Sequence, residues 1–144
     1  MAFNVMIVDD SETMRQVLRR VVEMSGVPVG EFHEADNGGS ALKVLRDTWI
    51  DVILSDINMP EMDGVELLKQ LKQDKVFKRI PVIFITTESS EARRREAKEL
   101  GVAGYIKKPF VPETIREILL DVLAKAYDVK SNDFTRGNEE GMDF

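Results

Sequence analysis

The chain of 144 residues is long enough to bury the core of one domain, and 43% hydrophobic with 32% charged residues describes a folded polymer. A net charge of −6 argues against general binding to nucleic acid or an anionic membrane, and the absence of cysteine excludes disulfides, zinc ribbons and thiol catalysis. A single histidine, His33, excludes an all-histidine metal site. No basic segment leads into a long apolar run, and no apolar stretch approaches the roughly 18 residues of a membrane span. The expected location is the cytoplasm.

Residues 3–8 (FNVMIV) read as a first strand, ended by Asp9 and Asp10. Met14, Val17, Leu18, Val21 and Val22 then follow a helical stripe that Gly26 terminates. A second strand, 31–35 (EFHEA), carries His33 as a structural or surface residue, and a second helix over 40–48 places Trp49 at its end as a packing residue. The third strand, 51–55 (DVILS), runs into Asp56, after which the chain breaks into Pro and Gly before a helix over 65–73. The fourth strand, 81–86 (PVIFIT), ends on Thr86-Thr87. The helix after it, 89–100, has only Ala92, Ala97 and Leu100 as apolar anchors and is expected to be loosely packed, with Arg93, Arg94 and Arg95 as a charged face. A fifth strand, 104–108 (GYIKK), precedes a helix opened by Pro112 and Glu113 and striped by Ile115, Ile118, Leu119, Val122 and Leu123.

From Tyr127 the pattern dissolves, so residues 1–127 are expected to form one domain and 128–144 a disordered acidic tail. Five strands alternating with five helices predict an α/β fold: a doubly wound parallel sheet with helices on both faces. In such a sheet ligands sit beyond the carboxyl ends of the strands. Asp9, Asp10, Asp56, Thr86, Thr87 and Lys108 all fall at those ends. Lys108 rather than Lys107 is the inward lysine, because side chains alternate along a strand. Three carboxylates together repel unless a cation shares them, and a ligand set of oxygen atoms alone favours Mg²⁺. A carboxylate is also a nucleophile able to form an aspartyl phosphate, and phosphoryl transfer needs the positive charge and hydroxyl donors that the cluster supplies.

The segments IVDDS, SDINMPEMDG, VIFITTES and GYIKKPF resemble, in order and in place, the receiver domains of two-component response regulators of the single-domain chemotaxis type. The resemblance covers about residues 3–125. It implies the flavodoxin-like strand order 2-1-3-4-5, the order the chemotaxis regulator exemplifies. Asp56 resembles the phospho-acceptor, and Asp9 and Asp10 the acidic pair that holds Mg²⁺ with the Asn58 carbonyl. Thr86 resembles the switch hydroxyl, Tyr105 the switch aromatic and Lys108 the family's lysine, followed by a cis bond to Pro109. Asn58 and Glu88 match positions that tune phosphoryl lifetime. The implied partners are a sensor histidine kinase and an output protein on the face of helix four, strand five and helix five, a flagellar-motor component or a phosphatase being the candidates. The resemblance implies no enzyme beyond catalysis of the chain's own phosphorylation and dephosphorylation.

Other readings are separable. A phosphorelay shuttle to a histidine phosphotransfer protein would share every site residue. A flavin- or nucleotide-binding flavodoxin-like protein needs a Gly/Ser/Thr-rich phosphate loop after the first strand, where Asp9-Asp10 would repel the ligand. An aspartate-based phosphatase needs a second acid two residues on, and Asn58 cannot donate a proton there. A DNA-binding regulator needs a helix-turn-helix segment that does not follow.

Overall fold

The alternation of apolar runs and amphipathic stripes becomes one parallel sheet in the computed structural model, which describes residues 2–128. The strands are β1 (Phe3–Val8), β2 (Val29–Ala35), β3 (Val52–Ser55), β4 (Val82–Thr86) and β5 (Gly104–Lys107), ordered β2-β1-β3-β4-β5 with every neighbour parallel. The helices are α1 (Glu12–Met24), α2 (Gly38–Asp47), α3 (Gly64–Gln73), α4 (Glu91–Glu99) and α5 (Pro112–Tyr127). This is the doubly wound architecture expected from the strand and helix pattern, with the strand order that the family resemblance implies. Asp128, whose left-handed backbone (φ 53°, ψ 41°) closes α5, is the last described residue; the tail expected to be disordered otherwise lies outside the described residues.

The period of two along each strand sorts the core into two layers. Val5, Ile7, Leu54, Ile83 and Ile85 face α1 and α5, packing on Leu18, Val22, Leu119 and Leu123. Met6, Val8, Ile53 and Phe84 face α2, α3 and α4, packing on Leu45, Leu67, Leu68, Leu71 and Ala97. β1, β3 and β4 are therefore apolar on both sides, as central parallel strands must be.

Several details differ from the sequence reading. α2 starts at Gly38, before the expected residue 40, because Asn37 caps it through the Ser40 N–H (2.9 Å) and Gly38 fits beneath Met62. β2 starts at Val29, drawn in by a hydrogen bond from the Glu31 N–H to Asn4 Oδ1 (3.0 Å). A 3-10 turn over Phe77–Arg79, not anticipated, forms where Asp74 Oδ1 accepts the N–H groups of Val76 and Phe77. α4 is anchored more thinly than its apolar residues suggested: Ala97 is buried and Leu100 partly so, but Ala92 is exposed. Trp49 does not pack into the core. It is 74% exposed, its indole N–H tied to Asp51 Oδ1 (2.9 Å) in the turn between α2 and β3.

Candidate functional site

Parallel strands share one carboxyl-terminal edge, and the residues that leave it converge. The Asp9 N–H donates to Ala35 O (3.0 Å) and the Asp56 N–H to Val8 O (2.9 Å), so both aspartates extend the ladder by one residue. The Lys108 N–H donates to Thr86 O (2.7 Å), and the Lys108–Pro109 bond is cis. Lys107 points to solvent, while Lys108 turns in.

Carboxylate oxygens of Asp9, Asp10 and Asp56 lie within 4.8 Å of one another. Lys108 Nζ donates to Asp9 Oδ2 (3.0 Å) and Asp56 Oδ2 (3.2 Å). Asp9, only 1% exposed, also accepts the Ser11 N–H (2.9 Å), and Asp56 Oδ1 accepts the Ile57 N–H (2.7 Å). Burial alone would lower the Lys108 pKa, but the hydrogen bond to Asp9 and the charges of Asp56 and Asp9 outweigh it and hold the ammonium above the ordinary lysine value. The lysine is thus charged, and three carboxylates against one ammonium still leave a surplus of negative charge. A hard divalent cation fits that surplus and that all-oxygen donor set.

A second chain of bonds starts at the end of β4. Buried Thr86 accepts the Glu88 N–H on Oγ1 (3.1 Å), and the Tyr105 hydroxyl donates to the Glu88 carbonyl (2.8 Å). The Tyr105 ring stands edge-on to Phe84 (6.3 Å, 89°) with the Arg94 guanidinium 5.2 Å from its centroid. Burial, with the Glu88 charge adding to it, pushes the Tyr105 phenol above its ordinary pKa. The Glu88 peptide is therefore clasped at both ends, by Thr86 and by Tyr105. Its side chain reaches across the site, where Oε2 accepts from Asn58 Nδ2 (3.5 Å).

Asp9, Asp10, Asp56 and Lys108 form one cluster, and Thr86, Glu88, Tyr105 and Asn58 are linked beside it. Thr87 is exposed beyond the strand end. Two contributors were not legible in the sequence. Arg15 donates to the Asp9 carbonyl (2.6 Å) while paired to Glu34 (2.8 Å), bracing the loop that carries the acids. Its only sequence signal is that it lies four residues after the helix cap Ser11. Gly64 opens α3 so close to Asp56 that a Cβ there would sit 2.2 Å from the Asp56 carbonyl oxygen. The Asp63-Gly64 pair at a helix start is its signal.

An acidic cluster with a captive lysine at the carboxyl edge of a 2-1-3-4-5 sheet defines a phospho-accepting signalling module. The response regulator receiver domain family matches residues 5–120, and the chain belongs to that family. Chemotaxis protein CheY-3 of Vibrio cholerae is 39% identical over 115 residues, 80% of this chain and 87% of its own. Chemotaxis protein CheY1 of Helicobacter pylori is 40% identical over 121 residues, 82% and 94% of the two chains. Among solved structures, chemotaxis response regulator CheY4 of Vibrio cholerae superposes with a TM-score of 0.75 at 35% identity, covering 85% of this chain and 99% of its own. The Mn(2+)-bound form of response regulator Rcp1 superposes with a TM-score of 0.70 at 26% identity, covering 85% and 92%. These relatives do not favour the shuttle or the flavin- and nucleotide-binding readings. No helix among the described residues is long and apolar enough to cross a membrane.

Proposed function

We propose that this protein is a cytoplasmic receiver-type regulator of chemotaxis or motility that takes a phosphoryl group from a histidine kinase onto Asp56. The observation that carries this is Lys108, held 3.0 Å from Asp9 and 3.2 Å from Asp56 inside a cluster that keeps a negative surplus. An Asp56 carboxylate oxygen attacks phosphorus, the phosphorus–nitrogen bond of the donor phosphohistidine breaks, and the imidazole leaves. Asp9, Asp10, Asp56 and the Asn58 carbonyl would hold Mg²⁺, which supplies charge neutralisation for the incoming phosphoryl oxygens. Lys108 pairs with the same oxygens as a point charge, and the Thr86 hydroxyl donates to them, with Thr87 beside it. The chain catalyses only its own phosphorylation and dephosphorylation. A manganese-bound relative and an all-oxygen donor set support the metal assignment.

The phosphoryl adds about −1.5 to −2 charge at Asp56. A Thr86 hydroxyl that turns toward it lets go of the Glu88 N–H, and the Glu88 peptide is what the Tyr105 hydroxyl holds. The switch therefore passes through Glu88 to α4, β5 and α5, the face offered to an output protein, for which a flagellar-motor component or a phosphatase is proposed. Residues 1–127 carry the phosphoryl chemistry; those from 128 onward are not needed for it.

Phosphate-affinity electrophoresis with acetyl phosphate tests the acceptor. Wild type should give a shifted band with Mg²⁺ and none with EDTA, and Asp56→Asn should give none in either. Equal labelling of both proteins would remove Asp56 from the role.

Asn58 follows Asp56 by two residues and its side chain meets Glu88 (3.5 Å), and this pair is proposed to set how readily water attacks the phosphoryl. Asn58→Lys, with a longer side chain and an ammonium able to pair with the phosphoryl, should slow its decay about tenfold, or about 1.4 kcal/mol of barrier. An unchanged decay rate after a chase with unlabelled donor would place control of hydrolysis elsewhere.

A further inference from the structure

At the opposite, amino-terminal edge of the sheet lies an open groove of about 970 Å³ between the end of α2, the 3-10 turn and the end of α5. Its apolar wall is open to solvent: Trp49 is 74% exposed and Val76 67%. The tryptophan is not loosely held. The Trp49 indole N–H is fixed on Asp51 Oδ1 (2.9 Å) and its carbonyl accepts from Asn4 Nδ2 (2.9 Å), while the Tyr127 hydroxyl donates to the Asp51 carbonyl. A large aromatic ring is thus presented at a preset angle with a face open, the geometry of a contact surface rather than of a stray side chain.

We propose that residues 129–144 of this chain occupy the groove, with an aromatic side chain of the segment, Phe134 or Phe144, packed against Trp49 and Val76. The first argument is position. Tyr127 lines the groove, and the left-handed Asp128 ends α5 there, so the segment leaves the helix at the rim of the groove itself. Phe134 follows Tyr127 by seven residues, a reach of up to about 23 Å in extended chain. The second is charge. Arg46, Lys75 and Arg79 outnumber Asp47 and Asp74 in the groove lining, and the segment carries Asp133, Glu139, Glu140 and Asp143 against Lys130 and Arg136. The third is tethering. A short covalent tether gives an effective concentration on the order of millimolar, so even a contact with an intrinsic Kd near millimolar is occupied about half the time. A second copy offering the same residues in solution has no such advantage. The groove lies at the other edge of the sheet from Asp56, so its occupation leaves phosphoryl acceptance unaffected.

Trp49 is the chain's single tryptophan, so its fluorescence reads the groove directly. Emission maxima and acrylamide quenching are measured on the full-length wild type, on Phe134→Ala/Phe144→Ala, and on Val76→Glu, a substitution at an exposed position. The wild type should emit at shorter wavelength and quench less than either variant, with no dependence on protein concentration. Identical spectra and quenching in all three would overturn the proposal. Shielding that grows with protein concentration would assign the groove to a second copy, and shielding that appears only when another protein is added would assign it to a partner; either result overturns docking of the chain's own segment.

Discussion

Gly64→Val should destabilise the protein by about 3 kcal/mol or more and impair phosphoryl uptake with it. A Cβ at Gly64 would lie 2.2 Å from the Asp56 carbonyl oxygen, 2.9 Å from Ile57 Cα and 3.1 Å from the Asp56 carbonyl carbon. All three obstacles are main chain, so no rotamer change relieves them. Overpacking costs about 1–3 kcal/mol when side chains yield and more when they cannot. The clash is relieved only by moving α3 away or Asp56 itself, and the Gly64 N–H bond to Ile57 O (2.8 Å) ties those two movements together. Urea denaturation gives the stability change, and the labelling assay gives the loss of function. A midpoint within experimental error of wild type would mean that the approach of α3 to the acceptor is not required.

Lys108→Met should destabilise the metal-free protein by roughly 1–3 kcal/mol, the cost of leaving buried polar groups without a partner. Asp9, 1% exposed, loses its counter-charge and keeps only the Ser11 N–H among its side-chain hydrogen bonds. The pH dependence follows from the raised lysine pKa. A group that binds its proton more tightly in the folded state contributes stability below its unfolded value, here 10.5, and that contribution is lost as pH rises through the higher folded value. The gap between wild type and Lys108→Met should therefore be full at pH 7 and shrink above 10.5. Added Mg²⁺ should stabilise the variant more than wild type, because removing the ammonium leaves a more negative site. Thermal melts with and without Mg²⁺ measure both effects. A gap that persists unchanged at high pH would show that Lys108 acts by packing rather than charge.

The strands and the edge residues were legible because a parallel sheet buried on both faces needs continuous apolar runs, and each run here stops at a polar residue: Val8 at Asp9, Ser55 at Asp56, Thr86 at Thr87. The order of the strands was not contained in those runs; it came from the family resemblance. What escaped the sequence depends on contacts distant along the chain. Gly38 and Gly39 look like a loop by propensity, yet the Asn37 cap and the fit under Met62 make them the first turn of α2. Trp49 has the composition of a core residue, and only the tertiary path of the α2–β3 turn leaves its ring outside. Tyr105 resembles the family's switch aromatic. In the structure it is half-buried, its hydroxyl on Glu88 O, a contact that depends on how the chain leaves β4.

On the proposed mechanism, a phosphoryl group on Asp56 repositions α4 through Glu88. α4 is suited to this: Ala97 is its one fully buried residue, and its other ties include the Arg94 guanidinium over the Tyr105 ring (5.2 Å) and the pairs of Arg93 with Asp63 (3.3 Å) and Lys69 with Glu96 (3.6 Å), surface pairs worth about 0–1 kcal/mol each. A bias of a few kcal/mol from the phosphoryl is enough to shift such an element, since about 1.4 kcal/mol changes a population ratio tenfold. Hydrogen–deuterium exchange of the full chain with Mg²⁺, with and without beryllofluoride as the phosphoryl mimic, tests this without knowledge of any partner. The predicted result is altered protection running from Asp56 through residues 88–99 and β5, abolished beyond the immediate site in Thr86→Ala. Altered protection confined to the loop around Asp56, with α4 and β5 unchanged in wild type, would contradict it.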